Sequence, residues 1–224
     1  MFPEDASYLA KVSFFREKVT LYPVSCEVMA NGRSDIQWLE AVLAGGARIV
    51  QLRDKHSDDR AFYQKALVFR EKSSEAGALF IVNNRVDIAL LANADGVHLG
   101  NTDLPAQEVR KLAPELIIGV SCNTPEQAAT AKERGASYFN IGPLYTTETK
   151  KKLTPFLGPD VIKTFTSQCD LPFTVMGGVK LDHIQELLAR GARRIAVVTA
   201  LTRAKDIAAE TRRWIEAIDK ASAQ

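Results

Sequence analysis

The stretch LIIGVSCNTPEQAATAKERGASYFNIGPL, residues 116–144, contains one complete structural unit. Its first five residues form an apolar, β-branched run of strand length. Polar Ser121 and Asn123 follow, and then Thr124, Pro125 and Gln127 stand as N-cap, first-turn proline and capping-box partner of a helix. The spacing predicts that helix over 126–134. Gly135 comes next, where a left-handed helix end is wanted, and residues 138–144 are apolar again. The unit is strand, helix, strand.

The same unit recurs along the chain. Apolar runs at 19–24, 47–52, 79–82, 96–99, 116–120, 138–144, 172–176 and 194–200 predict eight strands. Helical spacing lies between and after them, at 36–43, 61–76, 106–112, 126–134, 160–165, 184–190 and 207–221, with a shorter piece at 86–92. Gly77 and Gly191 close helical stretches as Gly135 does. Regular alternation of this kind means a parallel sheet with helices packed outside it, either open or closed. Eight units in 224 residues match a lean (β/α)8 TIM barrel, a fold that starts near ~200 residues. An open dinucleotide-binding sheet would place GxGxxG after the first strand, and Pro23-Val24-Ser25-Cys26 stands there instead. Residues 1–18 read as an N-terminal arm or helix across the barrel bottom, and 19–224 as the barrel, a single domain.

Composition narrows the function. With 29 Lys plus Arg against 27 Asp plus Glu, the net charge of +2 carries no basic face for a nucleic acid. No apolar run approaches the roughly 18 residues of a membrane span, and Met1 to Ser7 is not a cationic leader. The expectation is a cytoplasmic protein with no membrane or nucleic-acid partner; oligomeric state stays open, a homo-oligomer included. Cys26, Cys122 and Cys169 are isolated thiols without metal-ligand spacing, which excludes a disulfide framework and a structural zinc.

In a barrel of this kind chemistry sits at the C-terminal strand ends, and those ends are polar here. The second strand leads to Gln51, Arg53, Asp54 and Lys55, and the third to Asn83 and Asn84. The fourth carries His98 and leads to Asn101 and Asp103. The fifth leads to Ser121 and Asn123, the sixth to Thr147, Thr149 and Lys150, the seventh to Gly177-Gly178, and the eighth ends in Val198 and Thr199. The paired glycines offer bare backbone N–H groups to a phosphate, or else make only a tight turn. Thr147, Thr149 and Lys150 suit oxyanions, or form a solvated loop with Lys151 and Lys152. Residues 146–155 are the natural lid candidate. Asp103 and Asn84 could hold a divalent metal, or each could cap the helix that follows. His98, inside an apolar strand, reads as a hydrogen-bonded structural residue.

Six motifs in order resemble the thiamine phosphate synthase family: Gln51-Leu-Arg-Asp-Lys55; Val82-Asn-Asn-Arg-Val-Asp87; Ala94-Asp-Gly-Val-His-Leu-Gly100 with Asp103-Leu-Pro105; Gly119-Val-Ser121; Gly142-Pro143 with Thr147-Glu-Thr-Lys150; and Met176-Gly-Gly-Val179. The resemblance implies a transferase that joins 4-amino-2-methyl-5-hydroxymethylpyrimidine diphosphate to a thiazole phosphate, with Mg²⁺, releasing pyrophosphate. It implies that Gln51 contacts the pyrimidine and that Arg53, Lys55, Asn83, Thr149 and Lys150 contact the diphosphate. Asp103 and Asn84 would serve the metal and Ser121 the departing diphosphate. Thr147, Gly178, Val198 and Thr199 would hold the thiazole phosphate. Two positions depart from the family pattern. Asn84 replaces a carboxylate expected to ligate the metal, and Asn123 stands where relatives often carry histidine. A thiazole tautomerase, the nearest paralogue, uses that histidine as a proton shuttle, which asparagine cannot be. A tautomerase-like isomerase and a non-catalytic thiamine-phosphate-binding barrel are the alternatives.

Overall fold

The computed structural model describes residues 6–146 and 156–223. Helix α1 (Tyr8–Lys18) precedes β1 (Leu21–Pro23), and α2 (Asp35–Ala44) follows. The chain then alternates through β2 (Ile49–Leu52), α3 (Asp59–Glu75), β3 (Leu79–Asn83), α4 (Val86–Leu91), β4 (Gly96–Leu99), α5 (Ala106–Leu112), β5 (Ile117–Cys122) and α6 (Pro125–Ala129). It ends with β6 (Tyr138–Ile141), α7 (Val161–Thr166), β7 (Phe173–Met176), α8 (Ile184–Ala189), β8 (Ile195–Val197), α9 (Thr199–Thr202) and α10 (Ile207–Ser222). All eight strands pair in parallel in the order β1-β8-β7-β6-β5-β4-β3-β2. A bridge from Val24 to Gln51 joins the two ends, so the sheet closes into the (β/α)8 barrel.

Local chemistry accounts for the boundaries. Gln127 Oε1 accepts from the Thr124 N–H at 3.2 Å, completing the expected start of α6. Ser34 and Gln37 form a reciprocal capping box on α2, at 3.2 and 3.0 Å. Gly77, Gly135 and Gly191 all take the left-handed backbone expected of helix ends. Four expectations need correction. The helix expected over 126–134 ends at Ala129, with turns beyond it. The run 194–200 is not one strand, because Val198 leaves extended geometry and α9 begins at Thr199. The sixth strand stops at Ile141. Ser121 lies inside β5, opposite Asn140, rather than beyond its end.

Strand pleating sorts the core into two layers. Phe80 and Val82 face the helices together with Trp38, Phe69 and Trp214. Leu79 and Ile81 face the barrel interior with Tyr22, Ile49, Ile117, Tyr138 and Ala196. Phe15 of α1 enters the bottom of this inner layer, its ring 4.6 Å from that of Tyr138. The α1 segment is fastened by the Arg194 guanidinium, whose Nε donates to the Phe15 carbonyl at 2.9 Å. Two residues beyond Ile49, Ile81 and Tyr138 the same pleat delivers Gln51, Asn83 and Asn140 to the opposite end. No described helix is long and apolar enough to cross a membrane, and the three cysteines are free and buried.

Candidate active site

The polar mouth is built from the inward rows of the strands. One cavity is lined by Tyr22, Gln51, Arg53, Asn83, His98, Ser121, Asn140, Thr174 and Met176, together with the turns at 142–143, 177–179 and 197–200. Gln51 is buried at the top of β2, where its Nε2 donates to the Tyr22 hydroxyl at 2.9 Å and its Oε1 accepts from Asn83 Nδ2 at 3.1 Å. Ser121 Oγ lies 3.0 Å from His98 Nε2. The other ring nitrogen of His98 lies 3.0 Å from the Tyr138 hydroxyl, which is 2.8 Å from that of Tyr22. His98 is therefore the hydrogen-bonded residue expected, but it stands in the cavity wall.

Asn140 and Thr174 were not singled out in the sequence. Thr174 Oγ1 donates to Asn140 Oδ1 at 2.8 Å, which turns the Asn140 amide nitrogen away from Thr174. Each lies in an otherwise apolar strand, and the in-register pairing of β6 with β7 brings them together.

The cationic side of the mouth comes from the segment after β2. The Arg53 N–H donates to buried Ser25 Oγ at 3.0 Å, and its guanidinium approaches Cys26 Sγ at 3.9 Å. Partial burial and the nearby Arg53 charge push the Lys55 ammonium below its ordinary value, while Asp103 pulls it back up. Asp54, between these cations, turns the other way. Its Oδ1 accepts from the His56 and Ser57 N–H groups at 2.9 and 3.0 Å, and Lys65 Nζ approaches its Oδ2 at 2.7 Å.

Neither helix-capping reading of the candidate metal ligands holds. The N-cap of α5 is Pro105, and Asp103 instead closes its own turn, Oδ2 accepting from the Gly100 N–H at 2.6 Å. Asn84 sits one residue before the N-cap of α4 with a left-handed backbone, its N–H donating to the His98 carbonyl at 2.9 Å. Both residues are half-buried at neighbouring strand ends. Among the described residues, no cluster of three or more His, Cys, Asp or Glu side chains could hold a metal.

Opposite the cations, Gly177 and Gly178 both have positive φ, 100° and 64°. A side chain on Gly177 would strike Pro143, and one on Gly178 would strike the Thr146 carbonyl. The turn is therefore tight because the loop after β6 lies against it. Among the described residues no backbone acceptor meets the Gly178 N–H, so the tight-turn and phosphate readings are compatible. Val198 and Thr199 face the same cavity from the end of β8. Thr147, Thr149 and Lys150 lie outside the described residues, as does nearly all of the lid candidate. Asn123 Nδ2 donates to the Gly142 carbonyl and its Oδ1 accepts from Asn101 at 2.6 Å. Its amide thus ties together the loops after β4, β5 and β6.

Fold and mouth together define the class: a (β/α)8 barrel whose cations and hydrogen-bond donors gather at the C-terminal face. The comparisons with known proteins are specific. The family model for thiamine monophosphate synthase matches residues 21–201. The thiamine-phosphate synthase of Methanospirillum hungatei is 43% identical over 197 residues, which is 88% of this chain and 96% of that protein. That of Clostridioides difficile is 40% identical over 197 residues, 87% of this chain and 92% of that protein. The solved thiamine phosphate pyrophosphorylase of Pyrococcus furiosus superposes with a TM-score of 0.85 at 30% identity, covering 92% of this chain and 98% of that one. The chain belongs to the thiamine-phosphate synthase family and is a transferase.

Proposed function

We propose that this chain condenses 4-amino-2-methyl-5-hydroxymethylpyrimidine diphosphate with thiazole phosphate, giving thiamine phosphate and pyrophosphate. One observation carries the assignment of sites: Gln51, Arg53, Asn83 and Ser121 line one cavity together with Gly178, Val198 and Thr199. One wall offers charge for a diphosphate and the facing wall offers backbone donors for a monophosphate.

In this reading Gln51 hydrogen-bonds the pyrimidine and Asn83 the diphosphate. Arg53 and Lys55, joined by Thr149 and Lys150 from the loop after β6, neutralise charge as pyrophosphate leaves. Ser121 donates to that leaving group. The pyrimidine amino group supplies electrons as the bond breaks, and the cation left at the exocyclic carbon is captured by the thiazole nitrogen. Gly178, Val198 and Thr199, with Thr147, hold the thiazole phosphate so that its ring nitrogen meets that carbon, which is catalysis by positioning. The protein needs no nucleophile of its own.

Magnesium fits this mouth as a companion of the diphosphate. Mg²⁺ is commonly held by one or two carboxylates plus substrate phosphates and keeps several waters. Asp103 has one carboxylate oxygen engaged by Gly100 and the other without a hydrogen bond among the described residues, and Asn84, at the end of the neighbouring strand, offers a neutral amide oxygen. When bound, the ion would spread the charge of the departing diphosphate. Asn123 supports the synthase over the isomerase, because its amide bridges neighbouring loops and cannot titrate.

The test is direct. Pure protein, both substrates and Mg²⁺ should yield thiamine phosphate and pyrophosphate in equal amounts. Arg53→Met should lower kcat by about 10²-fold, the worth of one well-placed donor to a developing anion. Bound substrates with no pyrophosphate released would overturn the assignment in favour of a binding barrel.

A further inference from the structure

Six side chains form one continuous hydrogen-bonded row around the inside of the barrel: Asn83, Gln51, Tyr22, Tyr138, His98 and Ser121, linked at 3.1, 2.9, 2.8, 3.0 and 3.0 Å. Its middle is sealed, with Tyr22 and Tyr138 fully buried, while Ser121 opens on the cavity. Burial pushes both phenols well above their ordinary range, so each keeps its single hydrogen. A sealed row of single-hydrogen donors can be filled in only one sense once one end is set.

The Gln51 amide sets it. Its oxygen accepts from Asn83 and its nitrogen donates to the Tyr22 oxygen. The Tyr22 hydrogen then has Tyr138 as its acceptor, and the Tyr138 hydrogen in turn has His98 Nδ1. A ring nitrogen that accepts carries no proton, so the proton of His98 is on Nε2 and is given to Ser121 Oγ. The Ser121 hydrogen is then left for the cavity.

We propose that Tyr22, Tyr138 and His98 are positioning residues, which hold His98 as the neutral Nε2–H tautomer and so present Ser121 as a hydrogen-bond donor to a phosphate oxygen in the cavity. This inference deepens the reading of Ser121 given above and rests on it for the identity of the anion. The opposite filling would make Ser121 donate back to His98 and turn an oxygen lone pair towards an anionic substrate, which is repulsive. The row also joins the group assigned to the pyrimidine, Gln51, to the group assigned to the leaving diphosphate, Ser121. Tyr22 and Tyr138 thus act on the reaction through Ser121.

The experiment reads the tautomer and the kinetics separately. Nitrogen-15 NMR of the whole protein carrying His56→Gln and His183→Gln isolates the His98 ring. The expected spectrum at neutral pH has a pyridine-type Nδ1 and a pyrrole-type Nε2. Tyr138→Phe removes the donor to Nδ1 and should give both tautomers, with kcat falling about tenfold and KM for the pyrimidine diphosphate changing less than about twofold, the pattern of an interaction used in the transition state. In a Ser121→Ala background the same substitution should change kcat by less than about twofold. A pyrrole-type Nδ1 in the parent would overturn the proposal, and so would an undiminished tenfold loss without Ser121. If the parent shows the expected tautomer yet makes no thiamine phosphate, the row stands and the reaction assigned to the site fails.

Discussion

Glycine inside a strand ordinarily weakens it, yet Gly119 stands in the middle of β5 with its Cα facing the barrel interior. A Cβ there would overlap the Tyr138 ring. That ring cannot retreat, because Phe15 lies beneath it at 4.6 Å and its hydroxyl is bound at both sides. Gly119→Ala should therefore destabilise the barrel by about 3 kcal/mol, the upper part of the range for overpacking. The urea midpoint would show it, and an unchanged midpoint would mean that Tyr138 is not held where it is described. Asn84 poses a charge question at the same scale. An amide oxygen at this position gives a dication less attraction than a second carboxylate would. Asn84→Asp should lower the Mg²⁺ concentration for half-maximal activity about fivefold, since a charge pair at the protein surface contributes on the order of 1 kcal/mol. Unchanged metal dependence would remove Asn84 from the metal site.

Between the elements, the least expected feature is Lys65 of α3, whose ammonium meets three carboxylates: Glu27 at 2.6 Å, Asp35 of α2 at 3.1 Å and Asp54 at 2.7 Å. Burial alone would raise the Asp54 carboxyl, but Lys65, Ser57 and two backbone N–H groups hold it well below the usual range. Burial dominates at Asp35 and pushes it up despite Lys65. The ammonium thus fixes the turn from which Arg53 and Lys55 project. Lys65→Met would leave three carboxylates facing one another, at a cost of about 2 to 3 kcal/mol at pH 7, less than for a wholly buried pair because Lys65 keeps 21% exposure. The sign with pH follows from Asp54. A depressed carboxyl stabilises the fold above its unfolded pKa, near ~4, and that contribution is lost as pH falls. The difference between parent and variant should therefore hold from pH 7 to about pH 4 and shrink below that in chemical denaturation, and a gap that stays constant as the pH falls further below 4 would contradict the charge account. None of this was readable in advance. Lys65 is one of several lysines on helical stretches, with nothing local to mark it, and Glu27 lies 38 residues away from it. What could be read were features whose cause is local. Several helices carry their own cap, as at Ser34, Asp58 and Asp206, or a glycine stop, as at Gly77, Gly135 and Gly191, and each strand carries its own apolar run, so the order of the eight units was legible. The places of Arg53 and Ser121 in the cavity wall were legible too, because they follow or end such runs, whereas Lys55 lines the neighbouring pocket with Arg53. Tyr22 and Tyr138 were not, since a tyrosine in an apolar run looks like core until closure brings in a partner 116 positions away.

At the scale of the whole molecule, the barrel interior is one stack with an apolar floor and a polar mouth, and α1 supplies the floor. Phe15 is 1% exposed and packs on the rings of Tyr22 and Tyr138. Arg194, from the start of the eighth strand, grips the carbonyl of the same residue, and Lys11 of α1 faces buried Asp95 at 3.9 Å. Tyr138 thus has Phe15 on one side and the His98 ring, 5.7 Å away, on the other. Loss of the floor should be felt at the mouth. Phe15→Ala removes a fully buried ring from a site that cannot collapse, because the strands around it are closed, and should cost about 3 to 5 kcal/mol. Leu9 lies on the same helix but is 75% exposed, so Leu9→Ala should cost less than about 0.5 kcal/mol. The pair separates packing of the barrel floor from any general effect of changing α1. If Tyr138 settles towards the cavity left by Phe15, its bond to His98 lengthens, and Phe15→Ala should lower kcat several-fold at temperatures well below its melting transition, with KM for the thiazole phosphate nearly unchanged. Full activity in a destabilised Phe15→Ala would show that floor and mouth are mechanically independent. Equal stability of the two variants would show that α1 does not plug the barrel.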